Sequence, residues 1–198
     1  MISKVETIEL IEGFEPDGDD LAAKSRELIL GLLRHSEDPF SRRQFNPGHI
    51  TCTAVVLSPD LKSVLLMHHH RHLRWLLPGG HVEEEDLTLA VTARREAHEE
   101  TGVLLEASTT GRLVGMDVHG IPARKREPFH LHHDLIFALA AQSDHFSFTE
   151  EAPRIAWCRP TEFSHYEIVP SISRSVLRAQ QIFARANQLT LPIQGSQA

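Results

Sequence analysis

The residues best suited to chemistry lie in one short stretch, where three glutamates follow a pair of glycines. Glu96, Glu99 and Glu100 are spaced three and four positions apart, and on an α-helix that spacing places side chains on one face. Like charges so close repel one another unless a cation neutralises them. Carboxylate oxygens are hard ligands that suit Mg²⁺ or Mn²⁺ better than zinc. The pattern therefore predicts a helix that holds a divalent metal beside the turn at Gly79 and Gly80.

The stretch from Gly80 to Val103 resembles the Nudix box, the sequence signature of the Nudix hydrolase superfamily. The second half of that signature, Arg-Glu-apolar-x-Glu-Glu-x-Gly-apolar, matches at every fixed position. The first half is one residue longer than the pattern, and an acidic run at 83–86 replaces its single glutamate. Counting forward from the glycine reaches Asp86, so Asp86 or Glu85 is expected to take that role.

A plain acidic surface helix is the alternative interpretation of this stretch. Gly102 is a good helix C-terminus, and glutamate runs usually form solvated faces. A plain acidic helix does not explain why Arg95 also occupies its position in the signature, downstream of the Trp-Leu-Leu-Pro-Gly-Gly segment that begins at Trp75. The combination favours the Nudix interpretation.

The resemblance implies a hydrolase that uses Mg²⁺ (or Mn²⁺) to cleave a diphosphate linkage in a nucleoside diphosphate derivative. Glu96 and Glu100 would be the main metal ligands, with Glu99 close behind. The backbone carbonyl of Gly79 or Gly80 would complete the shell. Such a substrate is a small phosphorylated molecule.

Two further roles follow from the resemblance. Arg95 is expected to lock the loop by pairing with Glu85 or Asp86 rather than to touch the phosphate. The general base is left open between a box glutamate, Glu96 or Glu99, and a carboxylate of a distal loop. Glu150 and Glu151 are the distal candidates, and a solvated turn is the other interpretation of that pair.

Two groups outside the box are candidates for substrate contact. Arg124, Lys125 and Arg126 interrupt an otherwise acidic chain, so we expect at least one of them to contact a distal phosphate, the alternative being a solvated turn. His130, His132 and Asp134 open a strand and share one face by its period of two. If that face points to the cleft, His132 and its neighbours contact substrate or a second metal; otherwise they form a strand rim.

The run His68-His69-His70-Arg71-His72 suggests a zinc site at first sight. Adjacent residues of a strand point to opposite faces, however, and a zinc site needs ligands that converge. We therefore expect surface or substrate-facing polar residues here.

Composition excludes several classes of protein. The chain has 198 residues, 41% of them hydrophobic, and a formal net charge of −7. An acidic chain of this kind argues against nucleic acid as a partner, because a phosphate-binding groove needs clustered Lys and Arg. The N-terminus lacks a signal-peptide layout, and no apolar run is long enough for a membrane span. The prediction is a cytoplasmic protein with no membrane association, and a homodimer is left open.

The chain divides near Pro47. Residues 1–46 are predicted to form an N-terminal extension with one helix, from Asp19 or Asp20 to about Arg34. Residues 47–198 are predicted to form the Nudix hydrolase domain, and the resemblance implies its fold class, α/β: an α/β/α sandwich with a mixed β-sheet. Predicted strands are Ile50–Leu57, a strand from Ser63 to Met67 that forms a hairpin with it, Trp75–Leu77, Gly111–His119, Leu131–Ala141 and Arg154–Cys158, followed by a helix from Ser171 to about Ala186.

Two other functions stay open from the sequence. A ligand-sensing regulator with the Nudix fold would usually lose a box carboxylate and gain a basic DNA-binding module, and neither departure is visible. An isomerase of the isopentenyl diphosphate type needs a catalytic cysteine. Cys52 and Cys158 lie in apolar strand-like runs outside any motif, where buried reduced thiols are expected.

Overall fold

The computed structural model describes residues 2–70, 72–107, 110–124, 127–150 and 152–190, the last four of these by backbone alone. Its helices are α1 (Lys4–Glu12), α2 (Asp20–His35), α3 (Leu89–Thr101) and α4 (Pro170–Thr190). Its strands are β1 (Gly48–Leu57), β2 (Val64–His69), β3 (Arg74–Leu76), β4 (Gly79–His81), β5 (Arg112–Ile121), β6 (His130–Ala140) and β7 (Arg154–Cys158).

The strands form one mixed sheet in the order β3-β2-β1-β6-β5, with β4 paired to β1 and β7 paired to β2. β1 and β6 run parallel over their whole length, and the other pairs are antiparallel. The period of two sends alternate residues of β1 to opposite faces. Cys52 and Ala54 pack with α1, α2 and α3, whereas Val55 and Leu57 pack with α4. These layers confirm the predicted α/β/α sandwich.

The N-terminal region contains two helices, so the expectation of one helix in residues 1–46 is wrong. The predicted α2 is present, and the Asp19 carboxylate caps it by accepting from the backbone N–H of Ala22 at 3.2 Å. The additional α1 buries only Thr7 and Ile11, which leaves too weak a helical period to read from the sequence. Both helices contribute to the same apolar cluster as α3. The boundary near residue 47 stays a prediction.

The sheet differs from the sequence prediction at one informative place. The hairpin between β1 and β2 is present at its turn, where Leu57 pairs with Val64. β2 then leaves β1, and β4 takes the adjacent position by pairing with residues 51–53. The sequence suggested only a turn at Gly79 and Gly80, because two glycines have no side chains that would signal a strand.

The box helix α3 is bounded by clear signals. Thr88 accepts from the backbone N–H of Val91 at 3.2 Å and caps the helix, and Gly102 ends it with φ of 65°. Only glycine adopts that left-handed conformation without strain. The acidic run at 83–86 therefore lies in the loop before the helix. Among the helices described, none combines the length and apolar character that crossing a bilayer demands.

Candidate active site

Two box carboxylates are held against the glycine pair of β4. Glu100 is 7% exposed, and its Oε2 accepts from the backbone N–H of Gly79 at 2.9 Å. A Cβ at position 80 would lie 2.6 Å from the carboxylate of Glu96, so glycine is required there for Glu96 to approach the backbone. The sequence prediction that Glu96 and Glu100 share one helix face agrees with this arrangement. The donors are all oxygens with negative charge, which fits a hard divalent cation.

Arg95 fastens the loop before α3 to the helix. Its Nε and Nη2 donate to the two oxygens of Asp86 at 3.1 and 2.9 Å, a bidentate pair. Asp86 is 3% exposed and also accepts from Thr92 Oγ1 at 2.8 Å and from the backbone N–H of Glu83 at 3.0 Å. Burial acts to raise the pKa of Asp86, but these hydrogen bonds lower it overall. Of the two partners left open by the sequence, the structure selects Asp86.

The same guanidinium reaches the other box carboxylates. Arg95 Nη1 lies 3.0 Å from Glu96 Oε1 and 3.0 Å from Glu99 Oε2. Burial raises the pKa of Glu96, and the positive charge of Arg95 opposes that rise. Glu99 is 55% exposed. Within the described ranges, the carboxylates of Glu96, Glu99 and Glu100 are not all close enough to one another to hold a single ion. Glu96 and Glu100 are the two that lie against the glycine pair.

The distal loop is tied to the C-terminal end of the box helix. Thr149 Oγ1 donates to the backbone carbonyl of Glu100 at 2.9 Å and accepts from the backbone N–H of Ala152 at 3.0 Å. The backbone N–H of Ser147 donates to the carbonyl of Thr101 at 2.7 Å. Glu150 is exposed on this loop, and Glu151 lies outside the described residues. The contacts bring the loop to the box helix.

Arg124 of the basic cluster lies on the connection between β5 and β6. Arg124 and Glu127 form an antiparallel bridge through their backbones, and both are exposed. Lys125 and Arg126 lie outside the described residues. In the histidine-rich run, His68 packs edge-on against Trp75, and the rings of His69 and His72 lie 4.5 Å apart.

The face of β6 that the sequence singled out is lined by histidines. Asp134 on this face is buried and accepts from Thr51 Oγ1 at 2.9 Å, and burial raises its pKa to about 6. His132 lies next to two residues that sequence reasoning missed. Its ring centroid is 4.9 Å from that of His49 and 5.2 Å from that of His81, which are themselves 5.0 Å apart.

The sequence carries no signal for this grouping, because it depends on strand register. His49 pairs with His132 between β1 and β6, and Thr51 pairs with His81 between β1 and β4. Paired residues of neighbouring strands share a face, and so do residues two apart. The three histidines converge only once β1 lies between β4 and β6.

Comparison with known proteins gives a consistent picture of the fold. The model of the NUDIX domain matches residues 48–180, and no curated protein matches the chain. A NUDIX-family hydrolase from Clostridium perfringens is 22% identical with a TM-score of 0.50; the match covers 68% of this chain and 97% of that one. An Ap4A hydrolase from C. elegans is 14% identical with a TM-score of 0.48, covering 69% and 98%. The NUDIX domain of Shewanella oneidensis NrtR, complexed with ADP ribose, is 18% identical with a TM-score of 0.47, covering 68% and 87%.

Proposed function

This chain belongs to the Nudix family of hydrolases, since the family match spans residues 48–180 of its 198 residues, and from that premise we propose its reaction. The protein hydrolyses a diphosphate linkage in a nucleoside diphosphate derivative and uses Mg²⁺, or Mn²⁺, to do so. The main support for this reaction is the position of Glu96 and Glu100, which both lie against the Gly79-Gly80 segment of β4.

The chemistry of the donor set supports the choice of metal. When bound, a hard divalent ion neutralises the non-bridging phosphate oxygens and aligns a water with the leaving group. The chain supplies the binding geometry: Glu96 and Glu100 provide the carboxylates, with the carbonyl of Gly80 nearby. The N–H of Gly79 orients Glu100 through its hydrogen bond.

Arg95 acts as a positioning residue in this scheme. Its bidentate pair with Asp86 holds the loop in place, and its Nη1 donates to Glu96 and to Glu99 at 3.0 Å each. Departure of Glu99 from Arg95 would leave a carboxylate that can accept a proton from water. Glu150 is the second candidate for general base, because Thr149 ties its loop to the carbonyl of Glu100, with Glu151 as its sequence neighbour.

Substrate contacts outside the box are proposed for the basic connection and the histidine face. Arg124, with Lys125 and Arg126, would bind the distal phosphate or the leaving group. His132 would contact the substrate from β6. The isomerase alternative has no support, because Cys52 is fully buried and burial raises its pKa well above the ordinary value.

A substrate panel tests the proposal. ADP-ribose, dinucleoside polyphosphates, nucleotide sugars, coenzyme A and oxidised nucleotides are incubated with the protein and Mg²⁺ or Mn²⁺ in ¹⁸O water, and the products are analysed by mass. We expect one class to give two phosphate-containing products with ¹⁸O in one of them. Cleavage that persists undiminished in both Glu96→Gln and Glu100→Gln would assign the reaction to another site.

A further inference from the structure

A second group of potential metal ligands lies outside the Nudix box. The ligand nitrogens of His49, His81 and His132 all lie within 4.8 Å of one another. They come from three neighbouring strands, β1, β4 and β6, and project from one face of the sheet. In the described part of the chain, this is the group of histidine, cysteine and acidic side chains that could share one ion.

The strand pleat places this group opposite the box. Gly80 pairs with Cys52, whose side chain packs in the cluster with α3, and the space above Gly80 is filled by Glu96. His81 is the next residue, so its side chain points to the other face. The two sets of donors are thus one residue apart along β4 and on opposite sides of it.

His49 supplies an observation that points to a ligand. Its side chain is 1% exposed, and its Nδ1 lies 3.0 Å from the backbone carbonyl of Gln44. A carbonyl oxygen only accepts, so Nδ1 carries the hydrogen and the neutral ring keeps a lone pair on Nε2. That Nε2 is buried and has no hydrogen-bond partner among the described residues. Metal-bound histidines usually show this arrangement, with the distal nitrogen donating to a carbonyl.

The chemistry of the three rings narrows the choice of metal. Neutral imidazole nitrogens prefer borderline divalent transition ions over Mg²⁺.

Other rings pack beside the group. His130 packs 5.0 Å from His49, and its Nδ1 donates to the carbonyl of Pro128 at 2.9 Å. Phe45 lies edge-on to His130. A tetrahedral ion with bonds of about 2.0–2.1 Å needs nitrogens roughly 3.4 Å apart, so the rings must close on the ion from separations of up to 4.8 Å.

We propose that His49, His81 and His132 form a second metal site, which takes one borderline divalent transition ion such as Zn²⁺ and is separate from the carboxylate site of the box. Three protein ligands leave a fourth position for water or a substrate oxygen. The proposal stands on the histidine geometry alone and does not depend on the hydrolase reaction.

Binding of Co²⁺ to the full-length, chelator-treated protein tests the site. The titration contains excess Mg²⁺ to occupy oxygen-donor sites, and intense visible absorption reports four-coordinate Co²⁺ with nitrogen ligands. We expect one equivalent to bind, to be displaced by Zn²⁺, and to weaken by ~100-fold or more in His81→Gln/His132→Gln. His69→Gln/His72→Gln is the matched control, because it removes another close pair of histidine rings and should bind normally.

Two outcomes would overturn the proposal. Equal Co²⁺ binding by the wild type and the His81→Gln/His132→Gln variant would exclude the histidines as ligands. Loss of the signal in Glu96→Gln/Glu100→Gln with retention in the histidine variant would place the ion in the box. If the histidine variant fails to fold, ¹⁵N NMR spectra of the histidine rings in the wild type replace it. The proposal requires the ring-nitrogen resonances of three histidines to shift with one equivalent of Zn²⁺. Unchanged resonances would refute the site.

Discussion

The carboxylate box and the histidine cluster each bring potential metal ligands close together, but they differ in how the charge of those ligands is balanced. In the box, the negative charges of Asp86, Glu96 and Glu99 surround one guanidinium, that of Arg95, within 3.1 Å. In the cluster, burial lowers the pKa of all three imidazoles, which favours their neutral forms, so no counter-charge is needed to balance them. The box therefore carries its own counter-charge, whereas the cluster has a buried nitrogen, His49 Nε2, without a partner in the described part of the chain.

This difference shows that one strand can position both an oxygen-donor site and a nitrogen-donor site. β4 has only three residues, yet Gly80 faces the oxygen donors of α3 and His81 faces the nitrogen donors of β1 and β6. Arg95 links the sides, since its Nη2 donates to the backbone carbonyl of His81 at 2.8 Å.

The largest expected effect is the loss of hydrolase activity when a carboxylate of the box is replaced. Glu96→Gln or Glu100→Gln should lower turnover by ~100-fold or more, because each removes a charged metal ligand. Steady-state rates on the best substrate of the panel measure it, with Glu84→Gln, an exposed loop carboxylate, as the matched control. Metal-free Glu96→Gln protein should unfold at the same or a higher temperature, since burial raises the pKa of this carboxylate in spite of its pairing with Arg95 and so disfavours its charged form. Wild-type turnover in either variant would contradict the site assignment.

A second experiment tests whether Arg95 is the internal counter-charge of the box. Arg95→Lys keeps the positive charge but loses the bidentate pair with the buried Asp86. We therefore expect the free energy of unfolding to fall by about 2 kcal/mol. Urea denaturation measures the change. Arg94→Lys, on the same helix, controls for helix propensity. A loss equal to that of the Arg94 variant would mean that the bidentate pair does not stabilise the loop.

The sequence was sufficient for the box because its signal is local. Arg95, Glu96 and Glu100 stand on one helix, so their relative positions follow from a period of 3.6 residues. Long strands and α2 were predictable for the same reason. The sandwich itself came from the family resemblance, since periodicity alone indicates only mixed α and β.

What the sequence did not reveal depends on pairing between distant segments. His49, His81 and His132 lie in separate runs, and their convergence requires the parallel register of β1 with β6 and the insertion of β4 beside β1. The choice of Asp86 over Glu85 likewise needed the loop conformation. Register and loop geometry are tertiary properties that a single sequence does not encode locally.

Acidification should destabilise the metal-free protein through its buried histidines. Burial lowers the pKa of His81 and His133 to about 4 and that of His132 to about 2, whereas an unfolded histidine titrates near about 6.5. Below that pH the unfolded chain binds more protons, so the stabilising contribution is complete above it and is lost as the pH falls toward 4. Burial also lowers the pKa of His49, which adds to this loss. Asp134, with a pKa raised to about 6 by burial, and His119, whose pKa is raised by its hydrogen bond to Asp117, act in the opposite direction.

Urea denaturation of chelator-treated protein between pH 7 and 4 measures this effect. The midpoint should fall steadily below about pH 6.5, and His81→Gln/His132→Gln should show a shallower fall because two of the titrating groups are gone. A midpoint that stays constant, or rises, over this interval would show that the rings are not held neutral.

The smallest expected effect concerns the basic connection at Arg124. An exposed cation that binds a distal phosphate contributes equally to the ground state and the transition state, so its loss appears in KM rather than kcat. Replacing Arg124, Lys125 and Arg126 with Ala should raise KM by roughly tenfold, in line with one or two charge-assisted hydrogen bonds, and leave kcat within about twofold. Arg112→Ala, an exposed cation at the start of β5, is the matched control for net charge. An unchanged KM on the best substrate would make this segment a solvated turn, and the substrate would then be held by the box and the histidine face alone.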